Sequence, residues 1–152
     1  MEIAGERTIG IARDELWDVL LRVDVLEACV PGMQELEREG DIFKGTVGQK
    51  LAGITVSADA KAEIVRQTPP ETLEFAIEGQ DNRINSRVDG SATIELSSAG
   101  DEETHLEFVA TVDISGKLAS LGSRLIKRQV NKNVEKFFSN LQEHIEENET
   151  AS

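Results

Sequence analysis

The sequence predicts one α+β domain in which a curved antiparallel sheet of about seven strands wraps around a single long C-terminal helix, with two short helices after the first strand. Three observations predict it. From Ile42 to Gly116 apolar residues recur with a period of two, the pattern of strands with one buried face. The spacers between these runs are short, which joins neighbours as antiparallel hairpins, because parallel strands need long crossovers. From Lys117 the period changes to three and four, and the apolar stripe of that helix has the inner face of the sheet to cover.

The elements follow in order. After a first strand, Asp14 to Leu21 carries Leu16, Trp17, Leu20 and Leu21 at helical spacing, with acidic residues in the first turn where the helix dipole favours them. A second short helix is predicted over Asp24 to Cys29 and ends at Pro31-Gly32. Between Ile54 and Val65 the apolar positions Ile54, Val56, Ala58, Ala60, Ala62 and Ile64 alternate with polar ones. The alternation returns at Leu73, Phe75, Ile77 and Gly79, then at Ile84, Val88, Gly90, Ala92, Ile94 and Leu96, and finally at Leu106, Phe108, Ala110, Val112 and Ile114. Thr68-Pro69-Pro70, Gln80-Asp81-Asn82 and Ser97 to Asp101 supply the turns. The last helix, starting at Lys117, spans about 30 residues or roughly 45 Å, enough to cross a sheet. Residues 1–146 are expected to form the domain and 147–152 a frayed tail.

Composition narrows the function. With 29 acidic against 16 basic side chains the formal net charge is -13, a field that repels nucleic-acid phosphates, so nucleic acid is not expected as a partner. The acidic excess reads as adaptation to high intracellular salt. Thermal stability is therefore expected to rise between about 0.1 M and molar KCl, where the Debye length falls from about 10 Å to 3 Å; a flat melting temperature in differential scanning fluorimetry would refute this. No apolar run approaches the length of a membrane span, and the opening residues do not resemble a secretory signal. A soluble, cytoplasmic protein is expected, monomeric or weakly dimeric. One cysteine forms no internal disulfide, and two histidines offer no structural metal spacing, so neither metal nor cofactor is expected.

The inward phase of the strands is apolar but small. Gly45, Ala58, Ala60, Ala62, Gly79, Gly90, Ala92 and Ala110 stand where a filled core would carry larger residues, and aromatics make up 4% of the chain. Two readings are open. Small residues relieve crowding at the bends of a curved sheet, or they leave an apolar cavity between sheet and helix for a small hydrophobic ligand. On the second reading the walls are Trp17 from the first helix, Val47, Phe75, Ile77, Val88 and Phe108 from the strands, and Leu118, Leu121 and Leu125 from the long helix. Gln49 and Ser86 fall on the inward phase and are the candidates for meeting a ligand's polar end.

Catalytic groups do not converge in the sequence. Cys29 lacks an evident histidine partner and reads as a small buried hydrophobe. His105 falls on an outward phase, and the many carboxylates read as a solvated face. The last helix departs from the acidic average: Lys117, Arg124, Lys127, Arg128, Lys132 and Lys136 lie within twenty residues that hold one acid, Glu135. They read either as a solvated face balancing the acidic sheet or as a docking surface for an acidic partner or an anionic membrane.

Two stretches carry a resemblance to a known family. "LEACVPGMQELE" (Leu26 to Glu37) and "GKLASLGSRLI" (Gly116 to Ile126) resemble the signature segments of the carbon monoxide dehydrogenase CoxG family, within the START-like, or SRPBCC, helix-grip superfamily. "ARDELWDVLLRVDVLEACVPG" is similar to that family's opening helices, and the similarity runs over nearly the whole chain. The resemblance implies a helix-grip fold with an apolar cavity under the long helix. It also implies a non-enzymatic accessory role beside a carbon monoxide dehydrogenase or related molybdenum hydroxylase, recruiting that enzyme to the cytoplasmic membrane or handling a quinone. It supplies no catalytic residue. The terminal "EENETAS" differs from the hydrophobic anchor of some relatives, so membrane contact is expected to be peripheral. The alternatives are a cyclase- or hydrolase-like enzyme of the same fold using Gln49, Ser86 or Cys29, and an assembly factor without a ligand.

Overall fold

A computed structural model describes the backbone of residues 1–151 and the side chains of residues 1–147. Strand β1 (Glu2–Ile9) is followed by helices α1 (Arg13–Leu20) and α2 (Val23–Cys29). Six strands come next: β2 (Met33–Glu39), β3 (Ile42–Leu51), β4 (Ile54–Thr68), β5 (Thr72–Asp81), β6 (Ser86–Gly100) and β7 (Glu103–Gly116). Helix α3 (Ser123–Ala151) closes the chain. The seven strands form one antiparallel sheet in the order β1-β7-β6-β5-β4-β3-β2. It is the predicted meander with the first strand laid beside the last. The segment expected as a frayed tail lies mostly outside the residues with described side chains, and the α3 backbone runs on to Ala151.

The two short helices depart from the predicted bounds by one residue. Neither has a side-chain N-cap, since Ala12 and Arg22 occupy those positions, so the first-turn acids Asp14, Glu15 and Asp24 are what answers the helix dipole. At the exposed edge, β2 carries Glu35, Glu37, Arg38 and Glu39 in solvent, charges that discourage another strand from pairing there.

Two stretches differ from the sequence reading. Ile84, expected in a strand, lies in a 3-10 turn (Asn82–Ile84) that ends in a left-handed Asn85. Lys117 to Leu121, expected as the start of the long helix, forms a separate 3-10 turn, and α3 begins only after Gly122. Periodicity could not show this break. Gly122 has φ +87°, which no helix accommodates, and Gly116 has φ +85° with its missing Cβ directed at the Asn85 carbonyl. The two glycines of the "GKLASLGSRLI" stretch therefore bracket a corner in the chain.

Asp81 fixes the sheet end nearest that corner. Its carboxylate, 4% exposed, accepts from the Ser57 N–H at 2.8 Å, the Arg83 N–H at 3.1 Å and the Arg83 guanidinium at 2.9 Å. The guanidinium first, and then the Ser57 amide, hold its pKa down to about 2. A folded-state pKa below the unfolded value of about 3.9 stabilises the fold where the carboxyl is ionised. Asp81→Asn is thus expected to lower the melting temperature at pH 7. The gap to the wild type should close as pH falls from about 4 to about 2, as seen by circular dichroism melts across that range.

The packed core lies toward one end of the sheet. There Leu16, Trp17, Leu20, Val25 and Cys29 from the short helices meet Ile64, Leu73, Leu96 and Leu106 from the strands and Leu141 and Ile145 from α3. Thr104 is fully buried in this region and satisfies its hydroxyl by donating to the Ile11 carbonyl at 2.7 Å.

Candidate functional site: an apolar cavity under the long helix

Residues paired across antiparallel strands share a face, so the register defines the floor row by row. Phe43, Ala62, Ile77, Gly90 and Val112 form one inward row. Ile64, Phe75, Ala92, Ala110 and Ile3 form the next. On the other side run Gly45, Ala60, Gly79, Val88 and Ile114. Large residues lie toward the ends of these rows, and the middle is alanine and glycine.

Helix α3 does not sink into that low floor because it is propped at both ends. At its start the corner turn is pinned by the Leu118 N–H donating to Ser86 Oγ at 3.0 Å and the Lys117 N–H donating to the Asn85 carbonyl at 3.3 Å. Toward its far end Asn140 Nδ2 donates to the Cys29 carbonyl at 3.0 Å, and Leu141 and Ile145 are locked in the core. Between the props Phe138 stands on Phe108 with ring centroids 5.8 Å apart, and the Arg7 guanidinium covers Phe138 at 5.5 Å while pairing with Glu135 at 2.8 Å. What remains is an open-sided apolar cavity of ≈ 560 Å³, inside the range of about 300–1,000 Å³ that suits drug-sized ligands.

The expected walls divide in two. Val47, Gln49, Ala60, Ala62, Phe75, Ile77, Phe108 and Ala110 line this space. The others lie elsewhere, for identifiable reasons. Trp17 is absorbed by the packed core. Ala58 and Val88 have the inward phase but lie beyond the lining toward the Asp81 end. Ser86 is buried and spends its hydroxyl on the corner, donating to the Ile84 carbonyl and accepting from Leu118. Leu118, Leu121 and Leu125 belong to the corner and the first turn of α3, ahead of the cavity. The helix contributes Val130, Asn133, Val134, Phe137 and Phe138 instead, two turns further along than periodicity alone suggested.

The stretch from α2 into β2 forms one wall through Val30, Pro31 and Met33. Gly32, with φ +82°, lets its carbonyl accept from the Gly48 N–H at 2.8 Å, and Gln49 Nε2 donates to the Pro31 carbonyl at 2.8 Å. Cys29 is 1% exposed and burial pushes its thiol pKa up, which removes the thiolate a nucleophile requires.

Other clusters lie outside this space. A depression of ≈ 590 Å³ on the outer face is lined by Glu35, Glu37, Lys44, Asp59, Lys61, Glu78 and Arg87. Its charges already pair, Arg87 with Glu78 at 3.1 Å and Lys61 with Glu78 at 3.7 Å, so it offers little to an apolar ligand. His105 lies on the outer face with its Nε2 3.3 Å from both the Glu6 and Glu107 carboxylates. Lys117, Arg124, Lys127, Arg128, Lys132 and Lys136 are all exposed, and among the described residues none of them makes an ion pair. No helix among the described residues is long and apolar enough to cross a membrane.

A curved seven-stranded antiparallel sheet closed around one long helix, with an apolar cavity between them, is the START-like helix-grip architecture. Solved structures agree. A conserved protein from Geobacillus kaustophilus superposes with a TM-score of 0.89 at 24% identity, covering 97% of this chain and 96% of that one. A START superfamily protein from Mycobacterium smegmatis gives 0.71 at 10% identity, covering 96% and 97%. The Zhui aromatase/cyclase from Streptomyces sp. R1128 gives 0.68 at 12%, covering 96% and 93%. Residues 5–146 match the sequence profile of the carbon monoxide dehydrogenase CoxG family, and the chain belongs to that family. No curated protein sequence matches it.

Proposed function

We propose that the protein is a non-enzymatic accessory factor that holds a hydrophobic small molecule in the cavity under α3. The observation that carries this reading is the cavity itself: ≈ 560 Å³ of space floored by alanine and glycine and kept open by a helix propped at both ends. A filled core would have closed it, since interiors pack at crystal density. Membership of the CoxG family supports an accessory role beside a molybdenum hydroxylase-type enzyme, with a quinone as the ligand. The exposed cations of α3 supply a surface for docking on that enzyme or on the cytoplasmic face of a membrane, by peripheral contact. The enzyme alternative has less support, because Cys29 is buried without a base and the Ser86 hydroxyl is already committed.

The test is native mass spectrometry of the purified protein, followed by organic extraction and identification of what is bound. A stoichiometric apolar molecule supports the carrier. An empty protein that also refuses added quinone would leave docking or assembly as its role, with α3 as the surface to mutate.

A further inference from the structure

We propose that Asn133 and Gln49 form a polar end to the cavity that selects uncharged ligands bearing a carbonyl-type oxygen, and rejects carboxylates and other anions. The proposal rests on the reading of the cavity as a binding site and adds the chemistry of what it takes. Among the described lining residues the only charged side chain is Lys61, and it stands on the outward row of β4, between Lys44 and Glu78, with its Nζ 3.7 Å from the Glu78 carboxylate. Arg7, the other nearby cation, is engaged by Glu135 and the Phe138 ring. An anion entering the cavity therefore meets no counter-ion, and an unpaired charge taken out of water carries a large desolvation cost.

The two amides define what is accepted instead. Gln49 Nε2 is spent on the Pro31 carbonyl, which leaves its Oε1 as an open acceptor. Asn133 Oδ1 accepts from Gln129 Nε2 at 3.2 Å, which leaves Asn133 Nδ2 as an open donor. Among the described residues no buried side-chain nitrogen or oxygen lacks a partner, so these open atoms keep accessible surface, and both residues line the cavity. A neutral ligand with an acceptor oxygen satisfies Asn133. A carboxylate would bring its charge to a site that also contains the Gln49 carbonyl, an acceptor that repels it.

The experiment uses three probes of matched chain length, 2-dodecanone, dodecane and dodecanoate at pH 8, each displacing the neutral fluorophore N-phenyl-1-naphthylamine from the full-length protein. The ketone is expected to bind most tightly and dodecanoate at least tenfold more weakly. Asn133→Leu should weaken the ketone about five- to tenfold, the scale of one net hydrogen bond, and leave dodecane unchanged or tighter. Asn133→Ser, which keeps a donor, should preserve the order. If dodecanoate matches the ketone on the wild type, or Asn133→Leu binds the ketone undiminished, the polar-end assignment is wrong while fluorophore binding keeps the cavity reading intact. A wild type that takes up neither the fluorophore nor any of the three probes overturns both.

Discussion

An Ala62→Phe/Ala92→Phe variant should keep its fold and lose its ligand. Both alanines lie on the floor in adjacent inward rows, one beside Ile77 and the other beside Phe75, and both line the cavity. In a filled core, extra bulk of this kind costs about 1–3 kcal/mol per site through forced rotamers and backbone shifts. In an open apolar space the two rings instead bury surface that was exposed to the void, which offsets that cost. The melting temperature is expected to stay within about 4 °C of the wild type or to rise, while affinity for an apolar probe falls at least 100-fold, measured by fluorophore titration beside thermal melts. A large fall in stability would show that the floor was packed. Undiminished binding would show that the ligand sits elsewhere.

Leu141→Ala is expected to be among the most damaging single substitutions. Leu141 is fully buried where α3 meets the short helices and the strands. Its truncation leaves a hole in a packed region that relaxes only in part, at about 3 kcal/mol within a range of roughly 2–5. For a chain of this length that lowers the melting temperature by about 6–12 °C. Val65→Ala, at a side chain 59% exposed on β4, should change stability by no more than about 0.5 kcal/mol. Urea titrations of the pair measure the contrast, and equal losses would mean that the core is not where the packing places it.

The strands, their order from β2 to β7 and the inward phase of their residues were legible because a two-residue period states which side chains share a face. That period even marked the small floor at Ala60, Ala62, Ala92 and Ala110, although it could not say whether the helix sinks onto it. The helix was less legible. Its apolar stripe is continuous from Leu118 to Ile145, so the pattern contains no sign that Gly122 breaks it or that the cavity begins only at Val130. Asn133 escaped notice for a related reason: a single polar residue beside an apolar stripe looks solvated until the opposite wall is known. Ser86 failed differently. Its phase pointed inward as expected, but a neighbouring backbone N–H, distant in sequence, claimed its hydroxyl.

The placement of β1 beside β7 bears on the time course of folding. The N-terminal amine donates to the Val112 carbonyl across 111 positions of the chain, and all of β1 pairs with residues between Thr104 and Thr111. On the ribosome, strands β2 to β6 can pair with their predecessors as they emerge, whereas β1 must wait for the seventh strand. Pairings this distant are entropically slow to find. The first strand to be made is thus the last to be seated, and until then the outer edge of β7 and the backbone of β1 are both open to the wrong partner.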